Sequence, residues 1–314
     1  MKKLRCMLLP LLTILMITCF AATAQAAALI HQTKAGETSV TVSWDKLYTG
    51  SGKVQNYEVS WGDAYNNYTR KSGRLSASTK TYTIKNLAKN SPCYVSVTVY
   101  YTLSHGTSSS VSFQTKTNTK PSKVTKYSAY DFSYSGKGLR VAWEAPKGGN
   151  YLKYQYQIVN GSGKPVLKGT TSLRSLTLSK YKYYNKVMRI RVRAFTTDNY
   201  ELKTWYGPWS AYKALVPQPI LKNKVDYKNG KVTLHWSKVK GAKKYILYLS
   251  KSRDKGYKKV ATVKGSKKSK TLSSFKGRKF EIGPNYYVKI VTVSKYGKSN
   301  KYSMGSFHLY RRFV

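Results

Sequence analysis

The sequence predicts an all-β protein: three β-sandwiches in tandem behind a signal peptide. Three observations carry the prediction. A tryptophan closes a short, largely β-branched run three times, at Ser39–Trp44, Gly138–Trp143 and Lys231–Trp236. Each run alternates apolar and polar positions at period 2, the pattern of a half-buried strand. The tryptophans stand 99 and 93 residues apart, one small sandwich per interval. Turn residues recur about every 8–12 positions between them, with no sustained helical period.

The chain opens with the basic stretch Met1–Arg5, followed by an apolar run from Met7 to Phe20 and small residues up to Ala26. That is the layout of a signal peptide over residues 1–26. The apolar run is short for a membrane span and no second one follows, so no transmembrane helix is expected in the mature chain. Cleavage near Ala26 takes Lys2, Lys3 and Arg5 from the 57 basic residues, leaving 54 against 11 acidic ones, a net charge of +43. It also removes Cys6 and Cys19, so Cys93 is left alone. An exported chain with one cysteine has no internal disulfide, and its sandwiches must hold by packing. With 29 tyrosines and 6 tryptophans, it has the aromatic surface to do so.

In the first repeat, residues 27–120, Trp44 leads through a turn at 48–52 to the alternating Tyr57, Val59 and Trp61. Thr81–Ile84 begins another strand, and Cys93, Val95, Val97 and Val99 line a long one. In the second, residues 121–217, Leu139, Val141 and Trp143 face inward, as do Tyr154, Tyr156 and Ile158. Leu176 and Leu178 follow, then Met188, Ile190 and Val192. In the third, residues 218–314, Val232, Leu234 and Trp236 face inward, Tyr245, Leu247 and Leu249 take the next strand, and Tyr286, Val288 and Ile290 a later one. The expected structural core therefore centres on Trp44, Trp143, Trp236, Tyr57, Tyr154, Tyr184, Tyr245 and Tyr286. Pro121, Pro217 and Pro219 mark the joints and predict semi-rigid connections in a rod of three modules.

These features resemble tandem fibronectin type III modules, members of the immunoglobulin-like sandwiches. The resemblance rests on the tryptophan of the second strand, the Tyr57-x-Val59-x-Trp61 alternation of the third, and a tyrosine six residues after a leucine. Leu178 and Tyr184 have that spacing; Leu87 plus six falls on Cys93, and Ile282 precedes Tyr286 by four. The resemblance implies a tyrosine corner, with the hydroxyl tied back to the backbone. The third repeat is similar to lysine-rich modules of Gram-positive bacterial surface proteins through Trp236, Gly241, Tyr245, Tyr257–Val263 and Tyr286-Tyr287. What the family implies is a spacer or binding role without a specified ligand.

Charge is the strongest functional signal, and it is graded along the chain. The three repeats hold 11, 17 and 26 basic residues against 4, 4 and 3 acidic ones, for net charges of +7, +13 and +23. Solubility asks for a net charge of about 2–8 on a small domain. The candidate polyanion-binding residues are Lys258, Lys259, Lys264, Lys267, Lys268, Lys270, Arg278 and Lys279, on a strand, its edges and the following loop, several of them expected to share one face. Such a field attracts polyanions in a salt-dependent way. Export favours an anionic cell-wall polymer such as teichoic acid, an acidic glycan or anionic lipid headgroups; nucleic acid satisfies the same electrostatics. The excess of lysine over arginine suits diffuse attraction rather than bidentate readout.

Arg189, Arg191 and Arg193 alternate outward on one strand near Trp205 and Trp209. Trp209-Ser210 matches half of the tryptophan–serine box of cytokine-receptor modules, which have a similar Arg–Trp ladder, and the ladder here is expected to stabilise the fold rather than bind a ligand. Tyrosine–lysine clusters at Lys180–Tyr184, Tyr296–Lys298 and Tyr310–Phe313 offer rings for stacking on sugars or bases, or simply cover the surface. No catalytic residue, metal site or cofactor is expected. His31, His105, His235 and His308 are dispersed without metal-ligand spacing, acidic residues are too scattered for a glycosidase pair, and Cys93 reads as an inert buried thiol. The sequence thus describes an exported, non-enzymatic, cell-surface binding or spacer protein held by its basic third repeat. An adhesin meeting a protein ligand through loops 103–110 and 197–204, and an accessory carbohydrate-binding protein, are the alternatives.

Overall fold

The structure is a computed structural model that describes residues 30–45, 47, 50–131, 139–179, 183, 185–198, 203–299 and 305–309. The expected signal peptide (1–26), most of the Lys180–Tyr184 cluster including Tyr184, residues 199–202 of the second loop, and Tyr310–Phe313 lie outside the described residues.

Among the described residues, three successive pairs of antiparallel sheets follow one another along the chain. The first pair is built from β1 (Ile30–Ala35), β2 (Val40–Trp44), β3 (Lys53–Gly62), β4 (Arg70–Ser76), β5 (Thr81–Ile84), β6 (Pro92–Thr102) and β7 (Ser108–Asn118). One sheet has the order β1-β2-β5 and the other β4-β3-β6-β7. The second pair uses β8 (Tyr127–Asp131), β9 (Leu139–Trp143), β10 (Lys153–Asn160), β11 (Pro165–Thr171), β12 (Ser175–Leu178), β13 (Met188–Thr197), β14 (Thr204–Tyr206) and β15 (Lys213–Leu215). Its sheets are β12-β9-β8 and β11-β10-β13-β14, with β15 also on β13. The third uses β16 (Leu221–Lys228), β17 (Lys231–Trp236), β18 (Lys244–Ser250), β19 (Lys258–Lys264), β20 (Ser269–Leu272), β21 (Asn285–Ser294), β22 (Gly297–Lys298) and β23 (Gly305–His308). It repeats the plan as β16-β17-β20 and β19-β18-β21-β22, with β23 on β21. This recurring arrangement of a three-stranded sheet over a larger one is the three tandem fibronectin type III-like sandwiches that the sequence predicts.

The period-2 pattern decides the cores. In the first sandwich Val40, Val42 and Trp44 from one sheet meet Tyr57, Val59, Val95, Val97 and Val99 from the other, all buried. In the third, Val232, Leu234 and Trp236 meet Tyr245, Leu247, Leu249, Tyr286, Val288 and Ile290. The tryptophan of the second strand meets the tyrosine of the third in every sandwich: Trp44–Tyr57 at 5.5 Å between ring centroids, Trp143–Tyr154 at 5.6 Å and Trp236–Tyr245 at 5.6 Å. Tilted and edge-on rings at this separation add ~0.5–1.5 kcal/mol beyond their buried area.

The corner position is clearest in the third sandwich. The Tyr286 hydroxyl accepts the backbone N–H of Glu281, the tie of a tyrosine corner. The apolar residue six before it is Phe280, which is buried, whereas Ile282 is 46% exposed. In the first sandwich Leu87 is buried and Cys93, six residues on, takes the tyrosine's place inside the core. Burial pushes the Cys93 thiol up to about 11, so it stays protonated. Tyr94 lies outside this core set and stands edge-on to Tyr65.

The chain condenses into two compact units. The first holds the residues up to Ser122 together with Pro146–Leu152 and Phe195–Gly207. In it the Asn90 side chain donates to the carbonyl of Lys147 (2.8 Å) and accepts the Ser122 N–H (2.7 Å), and Asn118 Nδ2 donates to the Thr197 carbonyl (2.8 Å). The second unit holds Lys123–Ala145, Lys153–Ala194 and the chain from Pro208. Here the second and third sandwiches share packing. Val187 and Val216 are buried in the third sandwich's core, and Val187 N–H donates to the Lys240 carbonyl at 2.8 Å. Gly241, at φ +89°, lies where a Cβ would come within 3.2 Å of Val187, so this joint needs glycine for both conformation and space.

Candidate polyanion-binding surface

The third sandwich has two edge strands that succeed each other in the chain. β19 ends the larger sheet and β20 the smaller one. Residues 265–268 carry the backbone between them: Gly265 N–H donates to the Lys243 carbonyl (2.8 Å) and Trp236 N–H to the Lys268 carbonyl (2.8 Å). The chain thus draws both edges to one lateral seam. Lys258, Lys259 and Lys264 lie on β19, Lys267 and Lys268 on the crossover and Lys270 on β20, and all six are exposed. Seven residues of strand make the β19 part of the seam about 20 Å long, at ~3.3 Å per residue.

A β-bulge sorts the side chains. The register of β19 on β18 shifts between Leu247 and Tyr248, opposite Ala261 and Lys259, which makes Val260 the extra residue. Unbroken alternation would place Lys258 with Lys264. Instead Lys259 and Lys264 share the outward face, opposite Tyr248 and Lys244, while Lys258 stands opposite the core residue Leu249. Lys270 likewise stands opposite Leu234. Lysines at inward register on an edge strand stop another strand from pairing there.

Two lysines join this surface that sequence reasoning did not single out. Lys244 pairs directly with Lys264, and Lys259, Tyr248 and Lys289 form a row across three strands. Like charges directly opposite each other destabilise a sheet, so the Lys244–Lys264 pair costs the fold something. The period-2 alternation from Lys244 to Tyr248 was visible; the register that brings Lys264 beside it was not. Lys289 Nζ lies 3.8 Å from the Tyr257 ring centroid, which holds this cation against an aromatic plane.

Arg278 and Lys279 sit apart from the seam, on the turn between β20 and β21. Phe275 and Arg278 exchange backbone hydrogen bonds of 2.9 and 3.2 Å, and the Lys279 side chain lies over Gly230 of the β16–β17 turn. None of the eight expected cations forms an ion pair among the described residues. The acids of this sandwich are engaged elsewhere or solvated: Glu281 with Lys251 at 3.3 Å and Asp226 with His235 at 2.8 Å, with Asp254 exposed. His235, one of the dispersed histidines, is thus held by a carboxylate.

The arginine ladder is interleaved with rings. Arg193 and Arg191 lie 4.6 and 4.5 Å from the Trp209 ring centroid, and Arg191 and Arg189 lie 5.1 and 4.9 Å from that of Tyr212. Arg189 then meets Tyr296 of the third sandwich at 4.5 Å, with Lys295 beyond it at 4.8 Å. Gln157 and Gln155 accept from Arg191 and Arg193 Nε at 2.7 Å. Tyr296 donates its hydroxyl to the Gly161 carbonyl at 2.6 Å. That ring is an internal fastener, with little left for sugar stacking. Trp205 pairs with Lys203 at 5.3 Å. No group of three or more metal-ligating side chains occurs among the described residues, and no helix there is long and apolar enough to cross a membrane.

Residues 26–116 match the fibronectin type III domain family. No curated protein matches the chain. Among solved structures, the chain is similar to the FN1–FN3 domains of chicken CNTN1, at 12% identity over 89% of this chain and 96% of that one, with a TM-score of 0.30.

Proposed function

We propose that the chain is an exported, non-enzymatic binding and spacer protein, retained at the cell wall by an anionic polymer that lies along its third sandwich. In this reading residues 1–26 are removed, residues 27–120 and 121–217 form two fibronectin type III-like modules, and residues 218–314 form the basic retention module. The observation that carries the reading is the lysine seam. Six exposed cations, none in an ion pair among the described residues, line two converging sheet edges, and one of them, Lys264, stands directly opposite Lys244. Neighbouring charges on the seam fall within the ~8 Å Debye length of physiological salt, so their fields add, while the two ends are screened from each other. A flexible polymer that makes many weak contacts suits that geometry better than a compact ligand.

The test is binding of a purified glycerol-phosphate polymer by the chain from residue 27 to 314, across a salt series. The comparison is a variant with Lys258, Lys259, Lys264, Lys267, Lys268 and Lys270 replaced by glutamine. Salt-sensitive binding that drops at least ~30-fold in the variant, about 2 kcal/mol in all, supports the reading. Unchanged binding in the variant overturns it and turns attention to the loops at 103–110 and 197–204. Substitution is the right tool here, because deleting residues 218–314 would strip the cover from Val187 and Val216.

A further inference from the structure

The end of the third sandwich carries a second concentration of charge with a different shape. Lys251, Phe275, Lys276, Arg278, Lys279, Glu281 and Tyr286 enclose a cleft of about 360 Å³. Four cations share it with one carboxylate, and Glu281 is engaged by Lys251 at 3.3 Å. The Tyr286 hydroxyl, which accepts the Glu281 N–H at 3.2 Å, keeps its own hydrogen to donate.

The backbone of this cleft is built against local preference. Lys276 and Gly277 have φ of +53° and +77°, and Phe275 and Arg278 close the turn with reciprocal hydrogen bonds. Two positive φ values in a two-residue turn define the type I′ geometry, whose first position favours asparagine or glycine. A lysine there is strained, and strained residues cluster at binding sites. What the lysine adds is a fourth cation at the rim. The Lys279 stem, packed over Gly230, limits the freedom of a second one.

We propose that this cleft is a discrete site for one tetrahedral oxyanion, a phosphate or sulfate ester group, with Arg278 as the forked donor and Lys276 and Lys279 as flanking charges. A planar guanidinium matches two oxygens of such a group. Its lining shares no residue with the six-lysine seam, where contact is diffuse. The proposal rests on the polyanion reading for the origin of the ester, while its geometry stands independently of that reading.

The test titrates inorganic phosphate, and in a second arm sulfate, into the 15N-labelled chain from residue 27 to 314 at constant ionic strength, and reads amide shifts. Saturable shifts centred on residues 276–281 are expected. Arg278→Gln lowers the affinity ~10-fold, and Lys276→Gly lowers it ~3-fold while raising the melting temperature, because glycine relieves the positive φ. That opposite movement of stability and affinity separates loss of a ligand contact from loss of fold. The six-lysine seam variant keeps the small-anion affinity within ~2-fold, since it leaves the cleft intact. The preferred anion assigns the source, a phosphate polymer or a sulfated glycan. Shifts that fail to saturate, that spread over the seam, or that survive both cleft substitutions overturn the site. The polymer reading is tested separately by the seam variant, so failure of one leaves the other measurable.

Discussion

Replacing Arg191 should expose how much the interleaved ladder contributes to the second unit. Its guanidinium lies 4.5 Å from the Trp209 ring centroid and 5.1 Å from that of Tyr212, and its Nε donates to Gln157 Oε1 at 2.7 Å. Two cation–π contacts at a half-exposed face contribute ~0.5–1 kcal/mol each. A hydrogen bond from a charged donor adds ~1.5 kcal/mol, at the lower end of its range because water reaches this face. Loss of the stem's packing on the rings adds to this. Arg191→Ala is therefore expected to destabilise the second unit by about 2–4 kcal/mol. Arg191→Lys keeps the charge but loses the flat stack and the Nε bond, and should cost about 1–2 kcal/mol. The assay is chemical denaturation of each variant, followed by tryptophan fluorescence and checked by calorimetry. A loss below ~0.5 kcal/mol for the alanine variant would refute the stacking argument. So would a lysine variant equal to wild type, since a formal charge alone would then suffice.

Three further outcomes follow from the same geometry. Tyr286→Phe removes the acceptor of the Glu281 N–H and should cost about 1 kcal/mol, measured in the same denaturation assay; a neutral result would deny the corner its energetic role. Cys93, pushed up to about 11 by burial, should react with a thiol reagent at pH 8 about 200-fold more slowly than a free cysteine of pKa ~8.5, because its thiolate is that much scarcer. Its folded value lies above the unfolded one, so its contribution to stability is complete below pH ~8.5 and is lost as the pH rises toward 11; rapid labelling of the native chain would contradict its placement in the core. Lys264→Glu converts the opposed Lys244 pair into an attractive one and should stabilise the sandwich by ~0.2–1 kcal/mol while weakening polymer binding. Movement of both in the same direction would show that the lysine is kept for the fold.

The sandwiches were legible because strand burial has period 2 and the tryptophan-ended run repeats three times. Trp44, Trp143 and Trp236 mark the same strand three times, and the structure places each against a tyrosine of the following strand, Tyr57, Tyr154 and Tyr245. The corner of the third sandwich was half legible. Tyr286 is plain in the sequence, whereas the buried residue six before it is the aromatic Phe280 and the aliphatic Ile282, four before it, is exposed. Legibility ended where information is not local. Val187 sits in the second repeat by sequence yet is buried in the third sandwich's core. Pro217 and Pro219 suggest a joint but carry no sign of that shared packing. The basic composition of the last repeat was plain, whereas its sorting was not. The bulge at Val260 sends Lys258 and Lys259 to opposite registers, and only cross-strand pairing brings Lys244 beside Lys264. The Lys276-Gly277 turn shows the same limit, since a lysine at positive φ is made by the hairpin's closure and not by its own preference.

Retention on isolated bacterial walls tests the central claim most directly. The chain from residue 27 to 314 and its six-lysine glutamine variant are each applied to intact walls and to walls stripped of teichoic acid, then eluted by a rising salt gradient. The account predicts that the wild-type chain is held on intact walls and released by salt, and that it passes through stripped walls. It predicts that the variant elutes early from both. Retention that resists salt, or that is equal for the variant and the wild type, would contradict an electrostatic anchor on the third sandwich.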